Sequence, residues 1–239
     1  MRFRRLFVLV LLVSTLMLLS FLWLFTRPNP AENAVIRMAA GLVTGWVGVI
    51  GGLTFWQRNR IRRFVLRLPA PWQFKFILFA TGMAMIEEAI AVSMTNLAPF
   101  FGVPIGQAYI TASTDYWDVI LHHSVIVFFG WFVAWALLLR FLDFSPFAVF
   151  VMSGLLGWLG EIIAFGLQQV GGFAMWMLIY GLMTWLPAFC LPNAEQRHAK
   201  PVRFNHYPLA FLLLMLVSIG WVILIQQVIS PHPAIHFVP

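Results

Sequence analysis

The chain has 239 residues, 62% of them hydrophobic and 10% charged, with a mean hydropathy of +0.89, far more apolar than a soluble domain. The formal charge of +7 sits in the gaps between apolar runs, which reports membrane topology and argues against a nucleic-acid surface. Cys190 is the only cysteine, so an intramolecular disulfide and a cysteine-rich metal site are excluded, and its place between Pro187 and Pro192 at a span end disfavours a nucleophile.

Leu6 to Phe25 is an apolar run of 20 behind Arg2, Arg4 and Arg5, long enough at about 1.5 Å per residue to cross a bilayer. With no small-residue cleavage signal before Arg27, it reads as an uncleaved anchor rather than a signal peptide. The second span, about Ala34 to Trp56, carries Gly41, Gly45, Gly48 and Gly52, and the line Thr44, Gly48, Gly52 predicts a close-packing face. Gln57 to Gln73 is the most basic segment, with Arg58, Arg60, Arg62, Arg63 and Arg67, and is expected in the cytoplasm.

The third span, about Phe74 to Thr95, contains Glu87 and Glu88, and a Pro- and Gly-punctuated connection follows from Asn96 to Ser113. The fourth, about Asp115 to Leu139, is reversed by the short Asp143 to Pro146 turn into a fifth, about Phe147 to Gln168. So short a turn predicts antiparallel neighbours. A sixth span, about Phe173 to Leu191, leads to a basic loop with Arg197, Lys200 and Arg203, and a seventh runs from about Pro208 to Ile229. The expected architecture is therefore all-α, a seven-transmembrane-helix bundle forming one integral membrane domain over residues 1–239 of a plasma or bacterial inner membrane. The alternation of basic loops places the N-terminus in the cytoplasm and the C-terminus outside.

Ionisable residues inside spans usually face the bundle interior and mark pathways or reaction centres. Asp115, Asp118 and His122 share one face of a regular α-helix, with His123 turned about 100° away. Glu87 and Glu88 straddle the small residues Ala84 and Ala91, and Gly154, Gly157, Glu161 and Gln168 form another small and polar stripe. The expectation is one cavity in the extracytoplasmic half, lined by Asp118, His122, Glu161 and Gln168 and entered by either Glu87 or Glu88, since adjacent residues diverge. Depths counted from the span ends differ by roughly 6 to 9 Å. Asp115 and Asp118 also fit the N-terminus of their helix as dipole-complementing caps.

Carboxylate plus imidazole suits a divalent metal such as zinc, held by His122, Glu161, Glu88, His123 and Asp118, and it also suits general-base activation of water. In that reading Glu87 or Glu88 is the base, with His122 and Glu161 holding the metal or orienting an acyl group, and the substrate is a lipid or membrane-embedded molecule in the bilayer the chain occupies. Two other readings stay open: a proton- or cation-coupled transporter and a non-catalytic assembly or scaffold subunit. His232 and His236 flank Pro233 in the terminal tail and read as tail rather than as ligands.

Over Glu87, Glu88 and His122 or His123, the pattern resembles the CAAX-protease and bacteriocin-processing family of intramembrane proteases. It departs from that family at Val92, where the family has an arginine, and at Asp118 or Val119, where it has a phenylalanine. Gly160 and Glu161 stand where the family has its later histidine with a following Asn or Asp, so the chain is not placed in the family.

Overall fold

A computed structural model describes residues 2–229. His232 and His236 lie outside the described residues. The chain runs through α1 (Arg2–Phe25), α2 (Pro30–Arg67), α3 (Trp72–Asn96), α4 (Tyr116–His123), α5 (Val125–Phe141), α6 (Pro146–Phe165), α7 (Phe173–Phe189) and α8 (His206–Ile229). A two-residue parallel pairing joins Leu142–Asp143 to Lys200–Pro201. Among the described residues six helices are long and apolar enough to cross a membrane. A seventh span is counted if α4 and α5, which meet at a 50° bend, are one. This is the architecture of a multi-pass integral membrane protein.

The bundle is built around α7, whose most apolar stretch is 61% buried, against 17% for those of α1 and α8. The two outer helices present Phe3, Met17, Phe25, Leu209 and Val228 outward, as lipid-facing surface requires. Glycines set the closest contact, between α6 and α7. A Cβ on Gly154 would lie 2.7 Å from the Met177 carbonyl oxygen, and one on Gly181 2.9 Å from that of Phe150. Only residues without side chains let the two backbones approach so closely. Trp46 fastens α2 to this core by donating its indole N–H to the Ile179 carbonyl at 3.0 Å.

Three expectations are corrected. First, α2 does not stop at Trp56 but continues to Arg67. A helix of 38 residues spans roughly 57 Å, about twice the hydrocarbon thickness, so its Arg-rich end projects beyond the core rather than looping. Second, the Thr44, Gly48, Gly52 line is not the packing face. Residues Val43–Gly51 are wound as a π-helix, whose wider turn shifts the register. Gly41 and Gly45 then meet Met94 and Ile90 of α3, Gly51 meets Leu182 of α7, and Gly52 faces open space. Third, the helices either side of the Asp143 turn are not close-packed neighbours. α5 packs on α3 and α8, and α6 packs on α7. The indole of Trp135 fills the space between α5 and α6 and donates to Ser153 at 2.9 Å.

The basic segments gather at one end. Arg4 lies over the Phe147 ring, Arg62 donates to Asn193 Oδ1 at 3.2 Å, and Arg197 donates to the Leu139 carbonyl and to Asp143. At the other end the Asn96 to Ser113 connection is folded, not extended. It contains a 3-10 turn at Ala98–Phe101, and its Ala98, Val103 and Ala108 pack with Ala34 and Met38 of α2. Thr111 also donates to Thr95 at 2.8 Å.

Candidate functional site

The polar groups at helical spacing converge in the half of the bundle away from the basic loops. Glu87 and Glu88 lie about two turns before the end of α3, and Glu161 lies about one turn before the end of α6. Because these two helices end on the same side, the glutamates differ in depth by four to five residues, roughly 6 to 8 Å, within the gap expected from the sequence. All three glutamates are buried, at 5%, 6% and 9% exposure, and their carboxylates lie within electrostatic reach of one another. Both members of the adjacent pair are buried, and both lie within electrostatic reach of Glu161.

Two hydroxyls complete the cluster, and neither was identified from the sequence. Tyr180 of α7 donates its phenolic O–H to Glu161, and the Ser124 hydroxyl lies within hydrogen-bonding reach of Glu88. Gly157 is the reason Tyr180 can reach: a Cβ there would collide with the tyrosine ring, so the bare backbone one turn from Glu161 is the seat of that ring. The signal existed in the sequence as a glycine four residues before a buried glutamate, but the partner on the facing helix could not be named. Trp131 and Phe128 flank Tyr180 on the α5 side.

The fourth span differs most from the expectation. Val119–His123 is π-helical, sealed by the Ser124 N–H donating to the Val119 carbonyl at 2.9 Å. In a π-turn, residues five apart come over one another. His123 is thereby brought to Asp118, Nε2 to Oδ2 at 3.7 Å, while His122 is turned outward and exposed. The regular α-helix that would have aligned Asp118 with His122 does not form. Asp115 is the N-cap of α4, accepting from the Asp118 N–H at 2.9 Å. Gln168 is also outside the cluster: Gly166, at φ +96, ends α6 at Phe165, and the exposed Gln168 side chain donates to the Phe165 carbonyl instead.

Chemically, the centre is three carboxylates and two hydroxyls, with no Lys or Arg between Phe76 and Asn96 or between Val119 and Leu139, nor on α6 and α7. Among the described residues no group of three or more His, Cys, Asp or Glu is arranged to hold a metal ion. His122 is exposed while the glutamates are buried, and His123 is engaged with Asp118. The ligand set of His122, Glu161, Glu88, His123 and Asp118 is therefore divided between two places. A second polar group, where Trp135 and Thr184 both donate to Ser153, is neutral and internally satisfied, as structural hydrogen-bond networks are. Comparison of the chain with protein-family models, curated proteins and solved structures finds no match.

Proposed function

We propose that Glu87, Glu88 and Glu161 form one proton-handling centre and that the protein uses it as a general base, activating water to hydrolyse a membrane-embedded ester or amide. The observation that carries this reading is the convergence of three carboxylates from two non-adjacent helices without a cation between them. A carboxylate at the centre of a span costs about 3 kcal/mol on insertion scales, and a cluster of three also repels itself when ionised. A purely structural role is served without that cost by the neutral Ser153 group. Carboxylates that share protons, by contrast, are suited to accept one and return it.

In this mechanism Glu88 takes a proton from water, and the oxygen lone pair so released attacks the carbonyl carbon. The tetrahedral intermediate then expels the alkoxide or amine, which leaves with the proton returned from Glu88. Tyr180 holds Glu161 in place beside the pair. Among the described residues the metal-assisted version of the reading has no assembled ligand set to draw on, so the general-base version is preferred. A test needs no known substrate. Membranes containing the protein are incubated in oxygen-18 water, and released carboxylates are searched by mass spectrometry. Heavy oxygen should enter products in a manner lost in Glu88→Gln; equal incorporation with the Glu87→Gln, Glu88→Gln double variant would falsify the hydrolase reading.

A second reading, proton- or cation-coupled transport, is favoured by the 50° bend between α4 and α5 next to Ser124, since broken helices mark ion sites in transporters. It predicts proton movement across proteoliposomes with no oxygen-18 incorporation. The extracytoplasmic placement of the centre follows from the charge alternation of the loops and is part of the same proposal.

A further inference from the structure

We propose that Asp118, His123 and Ser124 form the proton entry to the three-glutamate centre, admitting protons from the end of the bundle opposite the basic loops. The proposal rests on the reading of that centre as a proton-handling one.

Three observations lead to it. The π-turn at Val119–His123 lays His123 over Asp118 at 3.7 Å, with the two side chains 13% and 15% exposed while the facing Nε2 and Oδ2 atoms are themselves buried, so this acid–base pair lies at the edge of the core. Ser124, the next residue, closes the turn through its backbone N–H, and its hydroxyl lies within hydrogen-bonding reach of the buried Glu88. Adjacent Cα atoms are about 3.8 Å apart, so a single peptide link separates the partly exposed imidazole from the hydroxyl beside the buried carboxylate. The third observation is the seal on the other side. Ala80 and Met83 of α3 and Trp131, Phe132 and Trp135 of α5, each at most 3% exposed, lie between the glutamates and the basic end.

A hydroxyl accepts and donates at once, as a relay requires. His123 as imidazolium gives a proton to the Ser124 oxygen, directly or through one bridging water, and Ser124 gives its own proton to the Glu88 carboxylate. Histidine is left neutral and Glu88 protonated, so charge is conserved, and His123 recharges from outside water beside the Asp118 carboxylate. Histidine suits this step because its charge changes near neutral pH. The other titratable groups facing Glu88 are Glu87 on its own helix, Glu161 on α6, Tyr180 on α7 and Tyr116 on α4. Tyr116 donates to the Met85 carbonyl at 3.0 Å, which commits its proton away from the relay. Asp115 is committed to the helix cap.

The test is infrared spectroscopy of the whole protein in lipid, following the carboxylic C=O band of Glu88, identified by its loss in Glu88→Gln, as water is exchanged for heavy water. His123→Gln and Ser124→Ala are each expected to slow the isotope shift about a hundredfold, the scale of a lost proton-transfer partner. His122→Gln, at the exposed neighbour, should exchange at the parent rate. Asp118→Asn, which keeps the shape and removes the charge beside His123, gives an independent reading should either variant fail to insert. If His123→Gln and Asp118→Asn exchange as fast as the parent, the entry route is wrong while the centre stands. If no glutamate variant removes a carboxylic band, the proton-handling centre itself is wrong.

Discussion

The two ends of this bundle use charge in opposite ways. At the basic end, one buried arginine holds loops together: Arg197 donates to the Leu139 and Pro192 carbonyls and to Asp143, and its guanidinium lies over the Trp72 ring. Burial lowers the Arg197 pKa, and Asp143 opposes that shift, so the arginine stays charged where it is. At the other end, carboxylates lie within electrostatic reach of one another with hydroxyls beside them, and the helices around them are irregular, with a π-turn, a bend and an early stop at Gly166. A buried, multiply bonded arginine makes a fixed end. Irregular helix around carboxylates without a cation makes the end proposed to exchange protons.

The largest effect that could break this comparison is one of sidedness. Arg63 and Gln107 are both exposed and belong to opposite ends, so cysteine labelling in intact cells should be all-or-none: Gln107→Cys modified from outside and Arg63→Cys protected. Labelling of both from one face would mean that the two ends do not lie on opposite sides of a membrane.

Next in size is the clamp. Arg197→Met leaves the Leu139 and Pro192 carbonyls without their donor and Asp143 without its counter-ion, which should lower stability in detergent by about 3 kcal/mol. Asp143→Asn should lower it by about 1 kcal/mol or less, because the Asp143 side chain is 45% exposed and water screens the pair. Equal thermal shifts for the two would show that the ion pair, not the buried backbone bonding, holds the loops.

What the sequence made legible divides along the same line. Span positions and the grouping of basic loops follow from hydropathy and charge, which are sums over many residues and survive local error. The burial of Glu87, Glu88 and Glu161 was legible too, because small residues at helical spacing around them require a packed face. The fate of the histidines was not. Assigning His122 to the Asp118 face assumes a regular α-helix, and nothing in Val119, Ile120 and Leu121 announces a π-turn, which is decided by what the turn packs against. Gln168 was misplaced for a related reason: the Gly154, Gly157, Glu161 stripe continues to it in register, but Gly166 takes a positive φ and ends the helix first. Tyr180 was invisible because its role depends on which helix faces Gly157.

That facing contact supplies the third prediction. Gly157→Ala places a methyl against the Tyr180 ring and should destabilise the protein by about 1–3 kcal/mol, as overpacking does, while shifting Tyr180 off Glu161. Gly160→Ala, with nothing within 4 Å of the added atom, should be neutral or stabilising by up to about 1 kcal/mol, because alanine is the better helix former. If the two variants melt alike, glycine at 157 is not what seats the tyrosine.

The smallest expected effect separates capping from chemistry at the irregular end. Asp115 accepts the Asp118 N–H at 2.9 Å, and an N-cap replaced by alanine typically loses about 1 kcal/mol. Asparagine caps as well as aspartate but carries no charge. Asp115→Ala should therefore loosen α4 by about that amount, measured as faster amide exchange over Tyr116–His123, whereas Asp115→Asn should leave it as in the parent. Both should keep the Glu88 carboxyl exchanging at the parent rate, provided the Asp118 and His123 pair survives. A slowed carboxyl in Asp115→Asn, with α4 intact, would put the Asp115 charge inside the proton route and move the boundary of the exchanging end outward by one turn.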